Sequence, residues 1–117
     1  HPAPLPAYQS AHQAVQHVQD YLEAHYAEPI ALSDLSELVF ISPYHLARLF
    51  RKQIGMPPHK YLENVRIGHA ERLLQEDMSI ADVAYATGFS SQSHLTRTFK
   101  RFIGTTPGDY LKQRKIV

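Results

Sequence analysis

One stretch that occurs twice decides the fold of this chain: HLARLFRKQIGMPPHKYLENVRI, His45 to Ile67, and HLTRTFKRFIGTTPGDYLKQRKI, His94 to Ile116. A shift of 49 residues lays one on the other with ten identities in 23 positions, among them His45/His94, Arg48/Arg97, Phe50/Phe99, Gly55/Gly104, Pro58/Pro107 and Tyr61/Tyr110. Upstream the correspondence continues at a shift of 48, where Leu32, Asp34, Leu35 and Ser42 meet Ile80, Asp82, Val83 and Ser90. One residue has therefore been inserted near the start of the later helix of the second copy. A repeat of this length is the mark of one supersecondary unit used twice.

Each copy reads as helix, short turn, helix. In the second, Ser79 followed by Asp82 predicts a helix start, with the hydroxyl taking a free amide and the acid complementing the helix dipole. Gly88, six residues past Asp82, supplies the positive φ of a tight turn. Ser90 or Ser91 then caps a helix running to about Phe102, with Leu95, Phe99, Phe102 and Ile103 at helical spacing and Gly104 at its end. The first copy repeats the pattern: Ser33 before Asp34, then Ser42 as cap and Pro43 at the favoured first position. Leu46, Leu49, Phe50 and Ile54 form its apolar stripe, and Gly55 ends it. A long helix from about Pro58 to Gln75 joins the copies, with Leu62, Val65, Ile67, Ala70, Leu73 and Leu74 as its apolar contacts. Val15, Val18, Leu22 and Tyr26 predict an earlier amphipathic helix from about Ala11 to Ala27, stopped before Pro29. His1 to Ser10, with three prolines and no helical period, reads as a linker. No strand signal competes, so the expected fold is all-α with about seven helices. The expected organisation is two helix-turn-helix units, about 33–54 and 79–103, joined by the helix at 58–75, within a domain spanning 11–117.

The chain has 117 residues, enough for one compact domain or two very small units. With 44% hydrophobic and 20% charged residues and five glycines it has neither a disordered nor a fibrous composition. Every apolar run is interrupted well short of a membrane span, so no membrane partner is expected. The lack of cysteine excludes disulfides, thiolate zinc sites and a cysteine nucleophile, and fits a reducing compartment. No secretory signal opens the chain. The start at His1 is expected to mark a fragment or processed form.

A net charge of +1 conceals an uneven distribution. Residues 1–47 carry five acids and no Lys or Arg, whereas residues 48–117 carry all twelve basic residues and six acids. Such polarity fits a face that meets a polyanion, although a solvated face also produces it. The candidate second helices sharpen the choice. One carries Arg48, Arg51 and Lys52, the other Arg97, Lys100 and Arg101, and neither carries an acid. An α-helix fits the major groove of B-DNA. With the apolar stripes inward, Tyr44, Ala47 and Arg48 of the first copy and Gln92, Ser93, Thr96 and Arg97 of the second face outward near the N-terminal end, as base readers would. Arg grips guanine and Gln adenine in bidentate fashion, whereas Tyr44 and Ala47 suit thymine methyl groups. Arg51, Lys52, Lys100 and Arg101 lie further along and suit phosphates.

These residues carry a family resemblance. SHLTRTFKRFIGTTPGDYLKQRK, preceded by IADVAYATGFS, closely resembles the C-terminal signature of the AraC/XylS family of bacterial transcription regulators, and the likeness extends over roughly Val15 to Lys115. The resemblance implies two helix-turn-helix subdomains joined by a long helix, with the third and sixth helices entering adjacent major grooves. By position it implies base contacts from Tyr44, Ala47 and Arg48 and from Gln92, Ser93, Thr96 and Arg97. It further implies double-stranded DNA and RNA polymerase as partners, an effector or dimerisation domain on the N-terminal side, and action in the cytoplasm on the nucleoid. The first copy departs from the pattern: Phe40 stands where the second has Gly88, and Ser36 where it has Ala84. A wider or differently packed first turn is expected, and Arg97 is expected to matter more to specificity than Arg48.

Eight histidines raise a metal or catalytic alternative. His12 and His17 are five apart, a poor match to the spacing that puts ligands on one face of a helix. His45 and His94, next to core leucines, read as packed structural residues. Neither a nucleophile triad, a phosphate-binding glycine loop nor a carboxylate pair is present, so no enzyme activity and no cofactor are expected. The remaining alternative is a helical protein-interaction module that binds an acidic partner, which leaves the duplication unexplained.

Overall fold

A computed structural model of the chain describes residues 10–116, with side chains through Arg114. Seven helices make up the architecture, and no strand occurs among the described residues. They are α1 (Ala11–Ala24), α2 (Leu32–Val39), α3 (Pro43–Ile54), α4 (Pro58–Gln75), α5 (Ile80–Ala86), α6 (Gln92–Ile103) and α7 (Pro107–Ile116). The expected linker falls, for His1 to Gln9, outside the described residues. Ser10 instead caps α1, its Oγ accepting the Gln13 N–H at 3.2 Å.

The chain divides into two compact units between Leu62 and Glu63, inside α4. In the first, α1, α2, α3 and the start of α4 bury Val15, Val18, Leu22, Leu35, Val39, Leu46, Phe50 and Leu62. In the second, the rest of α4 with α5 and α6 buries Ile67, Ala70, Leu74, Val83, Ala84, Phe89, Leu95 and Phe99. The repeat shows in the packing itself. Phe50 meets Tyr61 edge to face at 5.6 Å, and Phe99 meets Tyr110 in the same way at 5.4 Å. Such pairs favour one relative placement of two helices over a merely greasy contact.

Helix boundaries follow capping chemistry. Ser42, Ser79 and Ser91 each accept an amide from the residue three positions on, and Pro43 occupies the first turn of α3. Gly55 and Gly104, at φ of 95° and 100°, close α3 and α6. Two starts and stops differ from the sequence reading. The N-cap of α2 is Ala31 and not Ser33; Asp34 Oδ2 accepts the Ala31 N–H at 2.8 Å, so the carboxylate reaches back and Ser33 lies within the helix. α1 ends at Ala24, not Ala27, because His25 leaves helical geometry, stacks on Tyr21 at 4.3 Å and pairs with Glu28 at 2.8 Å ahead of Pro29.

The first turn is not wider than the second. Phe40 adopts φ of 58° and takes up the left-handed conformation that Gly88, at 88°, adopts in the second copy. The N–H of the next residue then closes onto α2 or α5 alike, Ile41 to Ser36 O at 3.1 Å and Phe89 to Ala84 O at 3.0 Å. The additional residue of the second copy is absorbed between Gly88 and the cap Ser91, where Ser90 Oγ sits 3.1 Å from His94 Nδ1.

Candidate nucleic-acid interface

α3 and α6 each follow a short helix across a tight turn, and each buries the same two positions: Leu46 and Phe50, Leu95 and Phe99. At about 100° per residue, Tyr44 and Arg48 lie some 40° apart around α3, with Phe50 about 120° from Tyr44 on the other side. Ser93, Arg97 and Phe99 stand in the same relation on α6. Burial of the two aromatic rings therefore fixes which residues face outward.

Tyr44, Arg48, Arg51 and Lys52 are exposed on α3, as are Gln92, Ser93, Arg97, Lys100 and Arg101 on α6. Ala47 and Thr96, at equivalent positions, are only half-exposed. Ala47 turns partly toward an apolar cavity of about 250 Å³ shared with Leu22, Leu35, Pro58 and Leu62. Its methyl thus lies on the shoulder of the outward face. His45, Arg48, Arg51 and Lys52 rim an open depression beside that face.

Two cations are not simply presented to solvent. The Arg48 guanidinium lies over the Tyr44 ring, 5.7 Å from its centroid. Arg101 reaches Glu63 of α4, with Nη1 to Oε1 at 3.3 Å. Arg66, which sequence reasoning passed over, packs 5.9 Å from the centroid of the Phe89 ring. Burial pulls its guanidinium below the ordinary value, and nearby Glu63 acts in the opposite direction. Of the two equivalent histidines only His94 is packed, edge to face with Phe89 at 5.1 Å; His45 is exposed. The cap Ser42 corresponds in the structure to the cap Ser91 and not to Ser90, so Ser90 is the additional residue, and it supplies the polar partner of His94.

The exposed faces of α3 and α6 are cationic and carry no carboxylate, so both suit a polyanion. Among the described residues no group of three His, Asp or Glu side chains converges as metal ligands would, and no helix is long and apolar enough to cross a membrane.

Comparison with known proteins agrees with this geometry. The family description of a helix-turn-helix domain matches residues 35–113, which contain both turns and both outward faces. The HTH-type transcriptional regulator YbfI of Bacillus subtilis is 50% identical over 79 residues, 68% of this chain but 29% of YbfI. The chain therefore spans less than a third of that relative's length. An AraC-type transcriptional regulator from Chromobacterium violaceum has the same fold with a TM-score of 0.80 and 31% identity, covering 89% of this chain and 94% of that one. The DNA-binding domain of AdpA, solved in complex with a target DNA, superposes with a TM-score of 0.78 and 30% identity, covering 83% of this chain and 88% of that one. The chain belongs to the AraC-type helix-turn-helix family, the DNA-binding domains of transcription regulators, which is not a family of enzymes.

Proposed function

We propose that this domain binds a specific duplex sequence by inserting α3 and α6 into adjacent major grooves and thereby regulates transcription. The observation that carries the reading is the matched pair of outward faces: two helices with the same buried aromatic position, each presenting an arginine one turn into the helix and further cations toward its C-terminal end. Arg48 and Arg97 read bases, Tyr44 and Ala47 supply apolar contacts, and Gln92, Ser93 and Thr96 supply polar ones. Arg51, Lys52 and Lys100 neutralise phosphates, and Arg101 does so after exchanging Glu63 for DNA. The domain boundaries proposed from the repeat, with two reading units about 33–54 and 79–103, follow the same division of labour. A dedicated cationic face on each of two units is more than one acidic protein partner requires.

Within a full-length regulator, this domain is expected to act on the nucleoid in the cytoplasm, with RNA polymerase as a further partner and an effector or dimerisation domain on its N-terminal side. Selection of bound sequences from randomised duplexes tests the reading. It should return two half-sites about one helical turn, roughly 34 Å, apart. Arg97→Ala should scramble one half-site more thoroughly than Arg48→Ala scrambles the other, because α6 carries the more polar set of readers. Lack of duplex binding in mobility shifts at low salt, or binding without sequence preference, would overturn the proposal.

A further inference from the structure

Phe40 is placed where neither the backbone nor the core has a use for it. Its φ of 58° is in the left-handed region, where a Cβ is penalised and where the second copy has Gly88. The residue is 61% exposed and is not among those packed on the first core, whereas Phe50 and Phe99 are fully buried. The fold needs a turn at this point and no side chain. An exposed aromatic ring at a position whose backbone favours glycine is available to a surface outside the chain.

We propose that Phe40 is an additional DNA contact of the first reading unit, its ring packing on deoxyribose at the rim of the groove that α3 enters. This rests on the reading of α3 as a recognition helix. Phe40 lies two residues before Ser42, the N-cap of α3, at the same end of the helix as Tyr44, which is 73% exposed, and the Arg48 beyond it. In helix-turn-helix proteins this end meets base edges while the preceding helix crosses the backbone, so the turn that joins the two helices falls at the rim of the groove. The contact is apolar and uncharged, so it adds affinity for any sequence and releases no counterion. A protein partner of the same turn is the competing source of such a ring's use.

The experiment compares wild type with Phe40→Gly, Phe40→Asn and Phe40→Tyr on the selected duplex and on an unrelated one, by mobility shift across a salt series, with thermal melts of each protein. Gly and Asn both suit the left-handed turn, so both variants should melt no lower than wild type. Both should lose affinity by about five-fold on both duplexes, a loss typical of a partly buried aromatic ring. The slope of log affinity against log salt should not change, and Phe40→Tyr should bind as wild type does. Wild-type affinity in Phe40→Gly would overturn the proposal and leave the ring to a protein partner. A changed salt slope, a loss confined to the selected duplex, or an equal loss in Phe40→Tyr would each overturn the deoxyribose contact. Failure of the wild type to bind either duplex would instead overturn the reading of α3 itself.

Discussion

Tyr44 and Arg48, four residues apart on α3, form a cation–π pair, with the guanidinium 5.7 Å from the ring centroid. The equivalent pair on α6 is Ser93 and Arg97, which has no ring to stack on. The two arginines are therefore positioned by different means. An exposed cation–π contact contributes about 0.5–1 kcal/mol, enough to favour one arrangement of a long side chain before DNA arrives.

Tyr44→Leu should accordingly weaken discrimination at the base pair read by Arg48 by about two- to five-fold and leave the pair read by Arg97 unchanged. Tyr44→Phe, which keeps the ring, should retain the wild-type profile. Selection profiles of the three proteins decide the matter. If Tyr44→Phe loses as much as Tyr44→Leu, the hydroxyl is the contact and the stacking account fails.

The pairing of Arg101 with Glu63 leads to a different expectation. Glu63 is half-buried on α4 and holds one of the cations assigned to phosphate. An ion pair this exposed contributes at most about 1 kcal/mol to stability. Glu63→Gln should leave the melting temperature nearly unchanged but strengthen binding to all duplexes, because Arg101 no longer gives up an ion pair on binding, and the salt slope should not change. Arg101→Ala should cost less DNA affinity than Lys100→Ala. A salt series on the three variants checks both points, and a slope steeper by about one counterion in Glu63→Gln would show that Arg101 stays with Glu63 in the wild-type complex and does not reach phosphate.

Much of the fold and of the outward faces could be read from local signals. Ser42, Ser79, Gly55 and Gly104 announce helix ends through chemistry within three or four residues of themselves, and the spacing of Leu95 to Phe99 places Arg97 outside. What escaped depends on distance or on a penalty that was accepted. Phe40 in the left-handed region contradicts propensity, which points instead to a wider or differently packed turn. Glu63 and Arg101 are 38 residues apart, and nothing local couples them. His45 and His94 match in sequence yet differ in packing, because the second turn sets Phe89 and Ser90 beside the ring where the first has only Ile41.

Thr98 offers a stability test independent of DNA. It lies on the buried side of α6 with no exposure, and its Oγ1 has no hydrogen-bond partner. Leu49 holds the equivalent position in the first copy. A buried hydroxyl without a partner costs its desolvation, about 1–3 kcal/mol. Thr98→Val removes the hydroxyl and keeps the shape, so it should raise stability by about 1 kcal/mol in denaturant melts. Loss of stability would mean that the hydroxyl is satisfied in solution.

Tyr61 provides a pH-dependent counterpart in the first unit. Its phenol donates a hydrogen bond to Glu23, and its ring packs on Phe50. Desolvation by burial, then the hydrogen bond to Glu23, raises its pKa above the ordinary 10.0. Folding thus favours the protonated phenol: its stabilisation is complete below pH 10.0 and is lost as pH rises through the higher folded value. Tyr61→Phe keeps the ring and removes the donor, so it should cost about 1 kcal/mol at neutral pH. The gap between wild type and variant should then close as melts are carried above pH 10.0, since only wild type has this phenol to ionise. Parallel stability curves through that range would show that the bond to Glu23 contributes nothing to folding, and that the ring alone holds α4 against the first core.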